Sequence, residues 1–66
     1  MKTEILKETI KKRGYLLNFI AKELNLSKGG LSLKLNGTNE FKLSEINILI
    51  KILKLNEKET QEIFFT

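Results

Sequence analysis

A chain with neither cysteine nor histidine has no disulfide to close and lacks the two commonest soft metal ligands, so its apolar core alone must hold the fold. At 66 residues there is room for one such core and no second domain. A chain this short buries about 60% of the surface that its unfolded form exposes. Hydrophobic residues at 41% and charged residues at 30% lie in the globular range, away from the polar, highly charged regime of disorder. No apolar run reaches the roughly 18 residues that cross a bilayer, and no apolar stretch precedes a small-residue cleavage site near the N-terminus. The expectation is a soluble protein of the cytoplasm, and the opening methionine and apolar finish lead us to expect a whole chain rather than a fragment.

The same residues narrow the chemistry. Without a cysteine nucleophile or a histidine to move protons near neutral pH, and with little depth for an enclosed substrate pocket, an enzyme is not expected. Nor is a cofactor or small-molecule substrate. The net charge is +4 and the isoelectric point lies near 9.5, which favours a polyanionic partner. Counting along the chain, residues 1–14 carry five positive and two negative charges, residues 15–42 four and two, and residues 43–66 three and four. The basic surface thus belongs to the first two thirds.

Apolar spacing and stop signals divide the chain into five short helices, with no proline, repeat or linker between them. Thr3 is the expected cap of the first. Glu4 is well placed against its positive end, Ile5, Leu6 and Ile10 fall near one face, and Lys11, Lys12 and Arg13 precede the stop at Gly14. From Leu16 or Leu17 to Leu24, the residues Ile20, Ala21 and Leu24 recur at helical spacing, and Asn25 accepts the left-handed turn that ends the run. Ser27 is then a cap for a third helix at Lys28 to Leu35, with Leu31 and Leu35 inward and Asn36-Gly37 closing it. Phe41 is expected to anchor the polar loop 38–42. From Leu43 to Leu53 the stripe Leu43, Ile46, Leu49, Ile50 and Leu53, widened by Ile48 and Ile52, predicts a largely buried helix. Asn56 with Glu59 is a capping-box start for a fifth helix ending in Ile63, Phe64 and Phe65. A strand over 46–55 is set aside, because Lys51 and Lys54 interrupt it and no partner segment alternates with period two. Fold class is therefore all-α, a compact bundle of five short helices.

The informative stretch is Leu17 to Gly37. Two helices cross steeply through a tight turn when the first offers a small residue at the crossing and the turn accepts an unusual backbone. Ala21, Asn25 and Leu31 meet those needs in order, and Ile20, Leu24, Leu26 and Leu31 supply the shared core. At this spacing the sequence resembles the helix-turn-helix of phage repressor and Cro-like regulators, the xenobiotic-response-element family. The resemblance covers nearly the whole chain and extends through Gly30, Leu31, Asn36, Gly37 and Asn39, with LSLKLNGTNEF at 31–41 and the later LKLNEKE. It implies the lambda-repressor-like fold, with the motif at helices two and three.

What the resemblance implies for function is a recognition helix at about residues 28–35 in the major groove of double-stranded DNA. Lys28 would donate to guanine or to a phosphate, Ser32 would donate or accept, and Leu33 would touch a thymine methyl. Gly29 and Gly30 would let the backbone approach, at a helix cost of about 1 kcal/mol each relative to alanine. Asn36, the Gly37 and Thr38 backbone, and Lys42 would hold phosphates. Asn39 would reach a base from its loop, Asn18 would touch the other flank, and Ser27 would cap first and bind phosphate second. The implied partner is a pseudo-palindromic operator bound by a homodimer. Three departures stand out: Leu16 and Leu17 replace the family's polar cap and phosphate-binding glutamine, Lys34 replaces an apolar core residue whose packing Leu35 takes over, and no basic arm precedes the first helix. Gly29 likewise stands where a polar side chain is usual.

Plainer readings stand beside these. Lys7, Lys11, Lys12 and Arg13 read as a solvated face or a phosphate clamp, and Phe64 and Phe65 as a cover for the bundle's open end or a dimer surface. Glu57, Glu59 and Glu62 read as surface charges. Alternatives for the whole chain are a protein-interaction module on the same fold, motivated by Gly29, Leu16 and Leu17, and membrane-surface attachment through the basic first helix.

Overall fold

Five helices form: α1 (Thr3–Lys12), α2 (Leu17–Glu23), α3 (Lys28–Leu35), α4 (Leu43–Leu53) and α5 (Glu57–Phe64). The computed structural model describes residues 1–65, and no strand occurs among them. The architecture is an all-α bundle measuring 28 × 23 × 20 Å.

Four of the helices end by one device. Gly14, Asn25, Gly37 and Lys54 each take a positive φ, between +52° and +82°. Each such N–H bonds a carbonyl three residues back, and the next residue's N–H reaches five back: Tyr15 to Ile10, Leu26 to Ala21, Thr38 to Leu33 and Leu55 to Ile50. After three of these turns the chain re-enters the core, through half-buried Tyr15 and Leu26 and buried Leu55. Lys54 bears the penalty of a left-handed backbone without glycine's freedom. At the same helix end, the Tyr15 hydroxyl donates to Ile52 O (3.2 Å) and the Arg13 guanidinium to Leu53 O. With the Lys54 and Leu55 N–H groups on Lys51 and Ile50, all four terminal carbonyls of α4 are satisfied.

One contiguous core unites the helices: Leu6 and Ile10 from α1, Ile20, Ala21 and Leu24 from the second element, Leu31 and Leu35 from α3, Ile46, Leu49 and Leu53 from α4, and Ile63 and Phe64 from α5. α3 packs on both α1 and α2, and α1 also meets α5. Phe41 is buried and anchors its loop as expected.

Four expectations are corrected. Thr3 does not cap α1; Lys2 holds that position without a side-chain hydrogen bond, and its N–H bonds Ile63 O at 2.7 Å, so a distant helix secures this start. Leu43 is 68% exposed, because as the first residue of α4 it precedes the turn that the core covers, and Ile50 is half-buried. Glu59 is more than a surface charge, since it accepts the Asn56 N–H and pairs with Arg13 at 2.7 Å. Lys34 is buried alongside Leu35 rather than displaced by it.

Lys34 survives burial because Glu45, itself buried, receives its ammonium, while the Phe41 ring lies 5.8 Å from Nζ. The same Glu45 oxygen accepts the Lys42 N–H at 2.8 Å and so caps α4. Burial pushes the Glu45 carboxyl up, but the hydrogen bonds from Lys34 and the Lys42 N–H, with the charge of both lysines, outweigh it and hold the group below its ordinary value. A depressed folded pKa gives stability that is complete above the ordinary carboxylate range and lost as pH falls through the depressed value. Glu45→Gln should therefore cost about 3 kcal/mol at neutral pH by orphaning the buried ammonium. Thermal melting across an acid titration should show the wild-type advantage shrinking toward low pH; a constant gap would remove the pair from the account.

Candidate nucleic-acid interface

α3 opens on Ser27, whose extended backbone lets Oγ accept the Gly30 N–H at 3.0 Å. Leu31, Lys34 and Leu35 then fall inward, which leaves Lys28, Gly29, Ser32, Leu33 and Asn36 exposed. At about 100° per residue these five span an arc of about 140°. The arc carries a cation, a hydroxyl, an amide and an apolar side chain that is 45% exposed, with no carboxylate among its members.

Of the remaining candidates Asn18, Thr38, Asn39 and Lys42 are exposed but differ in what they join. Asn39 donates its N–H to Leu33 O (3.3 Å) and so lies against the end of α3, while Asn18 follows Leu17, which shares a groove with Ser32 and Asn36. Lys42 stands apart at the start of α4, beside the Lys34–Glu45 pair. The Gly37 and Thr38 N–H groups are engaged by Lys34 O and Leu33 O, so they have no donor left for a phosphate, and only the Thr38 hydroxyl remains for that purpose. Gly30 is half-buried, and a Cβ there would meet Ser27 Oγ at 3.1 Å, against the capping oxygen. Gly29 has open space around it.

Sequence reasoning left Lys7 open as a solvated residue or a phosphate clamp and missed its contact with Asn36. Its ammonium donates to Asn36 Oδ1 at 3.0 Å across 29 residues of chain, and the only local signal is the Lys7, Lys11 spacing on α1. Arg13, by contrast, is committed to Leu53 O and Glu59. Leu16 is the N-cap of α2, makes no capping bond and is 75% exposed. Phe19 beside it is 42% exposed and stacks on Tyr15 with centroids 5.6 Å apart.

Fold and surface together define a small all-α protein with a basic balance and one polar, acid-free helix face. Over residues 3–66 the chain matches the family described as protein of unknown function (DUF739), and it belongs to that family. No curated protein and no solved structure matches it. Among the described residues, no helix is long and apolar enough to cross a membrane.

Two substitutions separate folding from function here. Leu16→Ser supplies the missing cap and gives up an exposed side chain, so denaturant unfolding should show a gain of about 1 kcal/mol. Gly29→Ala fills empty space in a helix and should likewise gain about 1 kcal/mol. A loss of stability in the second variant would mean that the fold itself requires the glycine.

Proposed function

We propose that this protein is a sequence-specific, double-stranded DNA-binding regulator of prophage or mobile-element type, a repressor or Cro-like switch acting in the cytoplasm at the nucleoid. The observation that carries the reading is the exposed arc of α3, in which Lys28 leads a helix N-terminus and Ser32, Leu33 and Asn36 follow with no carboxylate among the arc's members. A helix inserted by its N-terminal half into the major groove presents Lys28, Ser32 and Leu33 to base edges and leaves Asn36, at its C-cap, to a phosphate, and the +4 net charge of the chain supports the required attraction. Lys7, held at Asn36, joins the phosphate-contacting set. One small module makes few phosphate contacts, so a homodimer on a pseudo-palindromic operator supplies the rest.

A second reading, a protein-interaction module on the same scaffold, is favoured by Leu16 at 75% and Leu33 at 45% exposure. Selection of bound duplexes from a random pool decides between them. The regulator binds its selected duplex with a steep salt dependence and a clear preference over scrambled sequence. Lys28→Ala and Asn36→Ala should each weaken that complex by about tenfold or more while the melting temperature stays near wild type. Equal binding to selected and scrambled DNA would overturn the reading.

A further inference from the structure

Beside α3 lies a groove of about 460 Å³, bounded by α1, residues 15–17 and the end of α3. Buried Ile10 and Leu35 form its base, while Tyr15 and the exposed Leu16 and Leu17 wall it. Lys7 and Lys11, one turn apart on α1, are the charged residues of its lining, which includes no carboxylate. Ser32 and Asn36 add neutral polar groups on the opposite side. The ammonium of Lys7 has three donors, one of which Asn36 Oδ1 occupies.

Leu16 bears directly on what this groove is for. A leucine at a helix N-cap leaves the first N–H groups of α2 without the oxygen that serine would offer, at a cost of about 1 kcal/mol. Burial does not offset that cost, since the residue is 75% exposed. A position that breaks a local rule without gain to the fold marks a surface with another use. Here the surface combines apolar walls with two cations, and it has the size of a small-molecule site rather than of a helix-length trough.

We propose that the groove between α1, Leu16–Leu17 and the end of α3 binds a small amphipathic monoanion, its alkyl or aromatic body against Leu16, Leu17 and Tyr15 and its carboxylate on Lys7 and Lys11. Ser32 and Asn36 belong to both this groove and the arc of α3, so occupant and duplex compete for them. That coupling rests on the DNA reading; the binding itself does not, and its test contains no DNA.

The probe is octanoate, with octyltrimethylammonium as the same tail under the opposite charge, titrated into the isotope-labelled protein at neutral pH and followed by amide chemical shifts. Octanoate should give saturable shifts centred on residues 15–17, 32, 35 and 36, with half-saturation below about 10 mM, and the cation should bind at least about tenfold more weakly. The double variant Lys7→Gln, Lys11→Gln should weaken octanoate by about tenfold. Leu16→Ser should weaken it by a similar factor although the variant folds more stably, which separates loss of the site from loss of the fold. Shifts that stay linear, centre elsewhere, or follow the cation equally well overturn the proposal, and so does an unchanged affinity in Leu16→Ser.

Discussion

α3 cannot stand without its neighbours. It has eight residues, two of them glycine, and helices of that length are marginal in water even with the best formers. Its helicity is supplied from outside: by the burial of Leu31 and Leu35, by the Ser27 hydroxyl at one end and by the left-handed Gly37 at the other. With three inward residues and two end devices in place, the outward arc is tied to the rest of the bundle through the bond from Lys7 to Asn36. Lys28, Gly29, Ser32 and Leu33 are exposed to solvent on that arc.

A single carboxylate then sets where that arc sits. Glu45 receives the Lys34 ammonium from the last turn of α3 and the Lys42 N–H at the start of α4, with Phe41 packed beneath. Desolvating two charges is expensive, and a buried pair is no guarantee of net stability. Its value here is geometric. The pair with its cap joins the last turn of α3 to the loop 36–42 and the start of α4.

Much of this was legible in local spacing. α3 begins and ends where its cap and stop place it, α4 spans the stripe that its apolar spacing marks, and Gly14, Asn25 and Gly37 turn left-handed as residue types that tolerate a positive φ. Features carried by contacts distant in the chain were not legible. Lys2 starts α1 because Ile63, at the other end of the chain, takes its N–H. Lys34 falls on the inward stripe with Leu31 and Leu35, a position visible in the spacing, but its charge pointed outward until Glu45 supplied a partner. The exposed face of α3 could be written from periodicity, while the Lys7 to Asn36 contact and the groove beside it arise only when α1 folds back on α3. Lys54 turns left-handed with no glycine or asparagine to announce it, since the core pulls Leu55 inward.

Tyr15 gives this architecture its own spectroscopic gauge. It is the sole tyrosine in a chain without tryptophan; its ring stacks on Phe19 of α2 and its hydroxyl reaches Ile52 of α4. The tyrosine band, at longer wavelength than the phenylalanine bands, therefore reports one joint, the corner where three helices converge, while far-ultraviolet ellipticity averages over all five. Should that corner loosen while the helices persist, the two optical windows would part company, and a label-free instrument would register the opening.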